Sequence, residues 1–145
     1  MPSEATNEAT RREWRELGFF YDRDENTRTW RLIGAVEGLR KFSRLLREYV
    51  SKPRNEKISE CDHFGPYMYL EIGTWHHAEV TDHWIAGPLD DLTRLAGLVD
   101  GFLDTAKPKG EIDLSNEFAP GSPFRLILEV RDDTFDPAVA DPNCW

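Results

Sequence analysis

One cysteine and four histidines that could ligate a metal ion lie close together in the middle of the chain: Cys61, His63, His76, His77 and His83. Zinc sites usually show a paired spacing such as C-x2-C or H-x3-H, whereas the spacings here are C-x-H, H-H and H-x5-H. Two adjacent strands could still bring His76 and His83 together. The spacing predicts no metal and no cofactor. The alternative is a small metal-binding protein or enzyme that uses Cys61, His63, His76 and His83.

Nucleophilic catalysis requires a base within hydrogen-bond reach of the nucleophile. The sequence contains no G-x-S-x-G, P-loop or G-x-G-x-x-G motif. Cys61 precedes His63 by two residues, but residues two apart on a strand or loop seldom face each other as catalysis requires. Carboxylate pairs such as Glu79 with Asp82 arise readily in so acidic a chain. We therefore predict that the protein is not an enzyme.

An unusual aromatic run, FGPYMYLEIGTWHH, occupies residues 64–77. Its alternation predicts a strand over residues 67–75 with an apolar face and a second face that carries Tyr67, Tyr69, Glu71 and Trp75. Tyrosine and tryptophan anchor many interfaces, and Glu71 could accept hydrogen bonds from a partner's arginine or lysine. We predict a partner-binding surface made of Tyr67, Tyr69, Glu71 and Trp75, with Asp82 on the adjoining strand. The alternative is that helix or tail residues of the same chain cover these rings.

The rest of the chain alternates between strand-like and helix-like segments. The predicted elements are a hairpin over residues 19–33, a helix over 36–50, strands over 67–75 and 80–86, a second helix that begins after Gly87-Pro88, and strands over 111–118 and 124–131. The order is ββαββαββ. It predicts an α+β fold in which two amphipathic helices pack on one face of a mainly antiparallel sheet, as a two-layer sandwich.

The two halves of the chain resemble each other. When Gly34 is aligned with Gly87, the apolar positions of the two predicted helices coincide, and YLEI at 69–72 matches ILEV at 127–130. We therefore predict an internal duplication. The 145 residues suit one domain, with residues 1–12 as a flexible lead-in and residues 132–145 as an irregular tail.

Charge is unevenly placed along the chain. The net charge is −9, with a balance of +3 over residues 1–54 and −12 over residues 55–145. An acidic surface repels nucleic acid and anionic lipid and attracts basic proteins, although it also serves solubility alone. No apolar run approaches the roughly 20 residues that span a bilayer, and the N-terminus lacks the apolar segment of a secretory signal. We expect a cytoplasmic protein in which Cys61 and Cys144 are reduced.

Four segments carry a resemblance to a known family. They are EWRELGFFYDRDENTRTWRLIG, SECDHFGPYMYLEIGTW, IAGPLDDLTRLAGLV and FDPAVADPNCW, and together they resemble the immunity protein 32 family of bacterial polymorphic toxin systems from about Glu13 onward. The family commonly has a histidine where Cys61 stands here, so the resemblance brings no histidine-based site to this chain.

The resemblance implies a small cytoplasmic protein that binds and neutralises a cognate toxin domain, for which a basic nuclease is one candidate. The expected mechanism is occlusion of the toxin's active site without catalysis. Besides the metal-binding alternative, a third hypothesis is a self-associating structural module in which the aromatic strand pairs across a two-fold axis as a homodimer.

Overall fold

The computed structural model describes residues 3–145. Its helices are α1 (Glu4–Leu17), α2 (Val36–Ser51), α3 (Leu89–Leu103) and the short α4 (Ser115–Phe118). Its strands are β1 (Phe20–Asp24), β2 (Thr29–Gly34), β3 (Cys61–Phe64), β4 (Leu70–Thr74), β5 (Glu79–Val80), β6 (Ile85–Gly87), β7 (Glu111–Asp113) and β8 (Arg125–Val130). Short 3-10 turns cover Pro53–Glu56, Pro66–Met68, Pro137–Ala140 and Pro142–Cys144.

The α+β class is confirmed, but the strands form two sheets where the sequence predicted one. The first sheet has the order β1-β2-β8-β7 and the second has the order β3-β4-β6-β5. Four of the six strand pairs are antiparallel, and the central pair of each sheet, β2 with β8 and β4 with β6, is parallel. Parallel strands need a crossover connection. The connection between β2 and β8 contains α2 and α3, whereas β4 and β6 are joined by residues 75–84, which contain β5 and no helix.

The two sheets share one topology. Each consists of two hairpins joined through a central parallel pair, and each combines strands from both halves of the chain. Gly34, which ends β2, pairs with Val130, and Gly87, which ends β6, pairs with Thr74. When the two glycine pairs are superimposed, Thr74 of β4 corresponds to Val130 of β8. The YLEI/ILEV match instead aligns Ile72 with Val130, so the structural and sequence alignments differ by two residues. A duplicated unit would produce this arrangement, and the duplication itself stays a prediction.

Apolar stripes and capping residues explain where the three longer helices form. Ser3 caps α1 by accepting a hydrogen bond from the backbone of Thr6. Gly18 ends α1 in the left-handed region at φ 93°, where glycine avoids a steric penalty. Helices α2 and α3 pack against each other, and Ser43 of α2 donates a 2.8 Å hydrogen bond to Asp100 of α3. Leucines, alanine, valine, phenylalanine and tyrosine form their buried faces.

Several predicted strands have different bounds. The strand predicted over 67–75 begins only at Leu70, because residues 66–68 form a 3-10 turn. The strand predicted over 80–86 is a hairpin of β5 and β6 around residues 81–84, and the strand predicted over 111–118 stops at Asp113 before α4. The predicted elements include no strand at the position of β3. Short strands carry too few residues for alternation to fix their ends.

Helix α1 and the C-terminal tail pack against each other. Residues 1 and 2 of the expected lead-in lie outside the described residues, and α1 occupies residues 4–12 and continues to Leu17. The tail packs on α1: the indole of Trp14 donates to Asp141, and Arg15 pairs with Asp136 at 3.0 Å. The predicted tail is thus irregular, apart from its two 3-10 turns, but it is part of the packed structure.

A single apolar cluster joins the helices, both sheets and the tail. Trp30, Leu46, Ile72 and Val99 are fully buried within it, and Cys144 of the tail is 1% exposed. No helix in the described part of the chain has both the length and the apolar character that crossing a membrane requires.

Candidate functional site

The turn before β4 presents large apolar side chains to solvent. Tyr67, Met68 and Tyr69 are 45%, 62% and 67% exposed. Tyr67 and Met68 have backbone φ angles of 64° and 57°, which residues other than glycine rarely adopt. Such a conformation persists only where its surroundings enforce it, and it occurs often at functional sites.

Four hydrogen bonds that involve side chains hold this aromatic turn, defined here as residues 67–69. The hydroxyl of Tyr67 donates to Asp141 at 2.7 Å, and the carbonyl of Met68 lies 3.0 Å from Nδ1 of His63. The hydroxyl of Tyr21 donates to the carbonyl of Pro66 and accepts from the backbone N–H of Tyr69. Burial raises the pKa of Tyr21 to about 12, and burial together with Asp141 raises the pKa of Tyr67.

An aromatic cleft of about 270 Å³ opens beside the turn. Strands β1 and β2, helix α1, the turn and the tail all contribute to its walls. The lining residues are Trp14, Phe20, Tyr21, Asp22, Arg23, Trp30, Tyr67, Tyr69, Asp141 and Asn143. Six of these ten side chains are aromatic and two are carboxylates, so the cleft suits a group that is apolar along its length and cationic at its tip.

Glu71 lies beside the turn on the outer face of β4, and its side chain is only 8% exposed. Its carboxylate has two imidazole neighbours: Nε2 of His83 lies 3.1 Å from one oxygen, and Nδ1 of His63 lies 3.6 Å from the other. The buried carboxylate therefore has partners within the chain, as the desolvation cost of such a group requires.

Cys61 completes this cluster. The residues on β3 and β4 face each other across the sheet, with His63 opposite Glu71 and Cys61 opposite Gly73. The potential ligand atoms of Cys61, His63 and Glu71 all lie within 4.8 Å of one another. Burial, and the nearby carboxylate of Glu71, raise the pKa of the Cys61 thiol to about 11. Without a cation, the thiol is therefore protonated at neutral pH.

The indole of Trp84 covers the middle of the outer face of this sheet. Its ring occupies the space beside Gly73, where a Cβ atom would lie 2.2 Å from the ring. Its Nε1 donates to Glu79 at 2.8 Å, and the other oxygen of Glu79 lies 3.0 Å from Nε2 of His77. Trp75 lies next to Trp84 with ring centroids 5.7 Å apart.

The structure places the five predicted contact residues in four settings. Tyr67 and Tyr69 are exposed on the aromatic turn, whereas Glu71 is buried among imidazoles and Trp75 is half-buried beside Trp84. Asp82 is exposed in the turn between β5 and β6, and its carbonyl accepts a 2.6 Å hydrogen bond from Arg23 of the cleft. The prediction that one strand face carries the first four residues is wrong, because the strand begins after Tyr69.

Among the histidines, His76 and His83 contact different partners. The ring of His76 lies 4.9 Å from that of Trp75, and His83 contacts Glu71 instead. Sequence reasoning missed the junction of Cys61, His63 and Glu71. The available signal was the C-x-H spacing, since residues two apart on a strand share a face, but it requires β3 to be recognised as a strand.

Sequence reasoning also missed the aromatic cleft. Its walls come from residues as distant in the chain as Trp14, Trp30 and Asn143, and no local pattern joins them.

Comparisons of the chain with protein-family models, with curated proteins and with solved structures found no match.

Proposed function

We propose that the protein is an immunity protein, which binds a cognate bacterial toxin domain in the cytoplasm and neutralises it by occluding the toxin's active site. The observation that carries this proposal is the exposed, hydrogen-bonded aromatic turn at the rim of the aromatic cleft. The resemblance of the sequence to the immunity protein 32 family and the net charge of −9 also support it.

The aromatic turn has the properties of a binding anchor. The rings of Tyr67 and Tyr69 are tilted by 31° with their centroids 5.8 Å apart. Hydrogen bonds to Tyr21 and Asp141 hold the backbone of Tyr69 and the hydroxyl of Tyr67. A preorganised aromatic side chain loses little conformational entropy on binding. Exposed aromatic residues of this kind supply a large part of the binding energy at many interfaces.

The charges around the cleft favour a basic partner. Asp22 and Asp141 line the cleft and Asp82 lies beyond its rim, whereas Arg23 is the one basic residue of the lining. Arg23 already donates to the carbonyl of Asp82, and its guanidinium lies 5.9 Å from the ring of Trp30. Asp141 is buried and already accepts hydrogen bonds from Trp14 and Tyr67, so the accessible carboxylate of the lining is that of Asp22. An arginine or lysine of the toxin could therefore enter the cleft between aromatic faces and Asp22.

The buried position of Glu71 changes the expected role of that residue. A carboxylate that is 8% exposed and in contact with His63 and His83 is not free to accept hydrogen bonds from a partner. The proposed contact surface therefore centres on Tyr67, Tyr69 and Asp82. A Glu71→Lys variant would place a positive charge among imidazoles and would report on folding as much as on binding.

The test is capture of the toxin domain encoded by the gene immediately upstream. We expect the tag-free protein to form a stable complex with that domain and to abolish its toxicity in co-expressing cells. Tyr69→Ala should weaken capture at least tenfold, the loss of one interfacial anchor. The matched control is Ile58→Ala, which shortens another exposed apolar side chain, 42% exposed, outside the cleft.

Two outcomes would contradict the proposal. An upstream gene that encodes a metabolic enzyme, with no toxin domain, would remove the basis for an immunity role. Equal affinities of Tyr69→Ala and the unaltered protein would move the contact surface away from the turn. Sedimentation at micromolar concentration distinguishes toxin binding from self-association. If the unaltered protein is a homodimer and Tyr69→Ala is a monomer, the turn serves self-association instead.

A further inference from the structure

Three chemically different metal-ligating groups converge on the outer face of β3 and β4. The potential ligand atoms of Cys61, His63 and Glu71 lie within 4.8 Å of one another. The three residues belong to two adjacent antiparallel strands, so the sheet itself fixes their separation. This cluster differs from an acidic surface patch because it combines a thiol, an imidazole and a carboxylate that is 8% exposed.

The strand geometry explains why the three groups meet. Cys61 and His63 are two residues apart on β3 and therefore point to the same face. Glu71 lies directly opposite His63. The position opposite Cys61 is Gly73, which has no side chain to come between the thiol and the carboxylate, and the ring of Trp84 covers this glycine. An apolar wall thus borders the cluster on one side.

The separations suit a small divalent cation. Zinc binds sulfur at about 2.3 Å and nitrogen or oxygen at about 2.0–2.2 Å, so tetrahedral ligand atoms lie roughly 3–4 Å apart. Nδ1 of His63 and the nearer oxygen of Glu71 are already 3.6 Å apart. Ligation through Nδ1 places the ring proton on Nε2 and replaces the hydrogen bond from Nδ1 to the carbonyl of Met68. The ligand atoms of the three residues are at most 4.8 Å apart. Side-chain rotations that move the thiol sulfur by less than about 2 Å would bring them to the separations of a zinc site. Zinc accepts thiolate sulfur, imidazole nitrogen and carboxylate oxygen as ligands.

We propose that Cys61, His63 and Glu71 form a zinc-binding site. His83 positions the site from outside, because its Nε2 lies 3.1 Å from the second oxygen of Glu71 and such contacts orient a ligating carboxylate. The thiol of Cys61 loses its proton to solvent as the sulfur–zinc bond forms. Three protein ligands leave a fourth position for water or for a group from a partner, and the 42% and 60% exposure of His63 and His83 leaves that position accessible.

The proposed site does not depend on the immunity function, since it stands on the geometry of one chain. The first experiment titrates zinc into the full, tag-free, chelator-treated protein under reducing conditions, by calorimetry. A parallel titration with cobalt(II) reads the sulfur-to-metal charge-transfer band, which requires a thiolate ligand. We expect saturation at one equivalent and a charge-transfer band. Absence of saturable binding to the unaltered protein would overturn the proposal.

The variants locate the site and use controls of the same residue type. Cys61→Ser should abolish the charge-transfer band and weaken zinc binding at least tenfold, since even outer-shell changes often cost about 10- to 100-fold. The control Cys144→Ser removes the buried thiol of the tail and should leave the band intact. Binding by Cys61→Ser equal to that of the unaltered protein would overturn the assignment.

A second pair of variants decides the matter if Cys61→Ser fails to fold, as judged by circular dichroism. His63→Gln should weaken zinc binding at least about tenfold, whereas His76→Gln changes a histidine that lies beside Trp75, outside the ligand cluster, and should bind as tightly as the unaltered protein. Equal loss of affinity in both histidine variants, or in neither, would contradict the proposed ligand set.

Discussion

The hydroxyl of Tyr67 donates a 2.7 Å hydrogen bond to Oδ2 of Asp141, and this contact joins the aromatic turn to the C-terminal tail. The same oxygen accepts a 2.9 Å hydrogen bond from the indole of Trp14, while Oδ1 accepts one from the backbone of Asn143. Asp141 is 3% exposed. One buried carboxylate therefore ties together α1, the turn and the tail.

Asp141→Ala should lower the free energy of unfolding by about 2–4 kcal/mol, because two buried or half-buried donors lose a charged acceptor. Urea denaturation followed by tryptophan fluorescence measures the change. Tyr67→Phe is the matched control, since it removes one donor and keeps the ring, and we expect a loss of about 1 kcal/mol. Equal losses in the two variants would show that Trp14 does not depend on Asp141.

The close approach of Trp84 to Gly73 gives a prediction about packing. A Cβ atom at position 73 would lie 2.2 Å from the indole ring, and the ring is held by its hydrogen bond to Glu79. Gly73→Ala should therefore destabilise the protein by about 1–3 kcal/mol, the usual effect of overpacking. The substitution should also shift the fluorescence emission of Trp84, because it displaces the indole ring.

Gly97→Ala is the control for that substitution and should have the opposite sign. Gly97 is an exposed residue within α3, and a Cβ atom there meets no other atom within 4 Å. Alanine stabilises a helix interior by about 0.5–1 kcal/mol relative to glycine. If Gly73→Ala were also stabilising, the ring of Trp84 would have to move freely, contrary to its contacts in the sheet.

The contact between α2 and α3 should make stability depend on acidic pH. Partial burial is the largest single influence on Asp100 and opposes its ionisation, but hydrogen bonds from Arg47 and Ser43 outweigh it and lower the pKa of Asp100. Because the pKa of Asp100 is lower in the folded protein, its ionisation stabilises the fold at pH values above the unfolded-state pKa of about 3.9. This stability is lost as the pH falls through the folded-state pKa.

Asp100→Asn should therefore cost roughly 0.5–1.5 kcal/mol at neutral pH, given the partial exposure of the pair, and should flatten the acid limb of the stability curve. Urea denaturation at a series of pH values measures both effects. Asp133→Asn, at an exposed position of the tail, controls for the loss of one negative charge. An unchanged acid limb in Asp100→Asn would contradict the role of this carboxylate.

The sequence predicted the features that depend on long, regular patterns. The stripes of α2 and α3 and the alternation along β8 define those elements, because each repeats over several turns or residue pairs. The match between Gly34 and Gly87 also anticipated the repeated topology, in which each glycine ends a strand just before a helix. Sheet membership was not accessible, since pairing between β2 and β8 joins residues about 100 apart.

The errors at the site have a local cause. Alternation from Tyr67 to Trp75 assumed an extended backbone, but the left-handed angles of Tyr67 and Met68 break it. Neither residue belongs to a type that favours this conformation, so no sequence signal marked the turn. The contacts with Tyr21 and Asp141 that enforce it come from distant parts of the chain.

Tyr21 gives a prediction at alkaline pH. Burial raises its pKa to about 12, mainly because the phenolate would be desolvated. A raised folded-state pKa means stability that is fully present below the unfolded value of about 10 and is lost as the pH rises towards 12. Tyr21→Phe should therefore be less sensitive to alkali than the unaltered protein, by up to about 2–3 kcal/mol between these pH values.

The same variant loses the hydrogen bonds of the Tyr21 hydroxyl to Pro66 and Tyr69, so we expect it to be about 1–3 kcal/mol less stable at pH 8. Tyrosinate absorbance and urea denaturation, measured at matched pH, separate ionisation from stability. Tyr69→Phe keeps an exposed ring on the same turn and serves as the control. If the alkaline loss of stability were as large in Tyr21→Phe as in the unaltered protein, another group would have to cause it, and the anchoring of the aromatic turn through Tyr21 would lose its support.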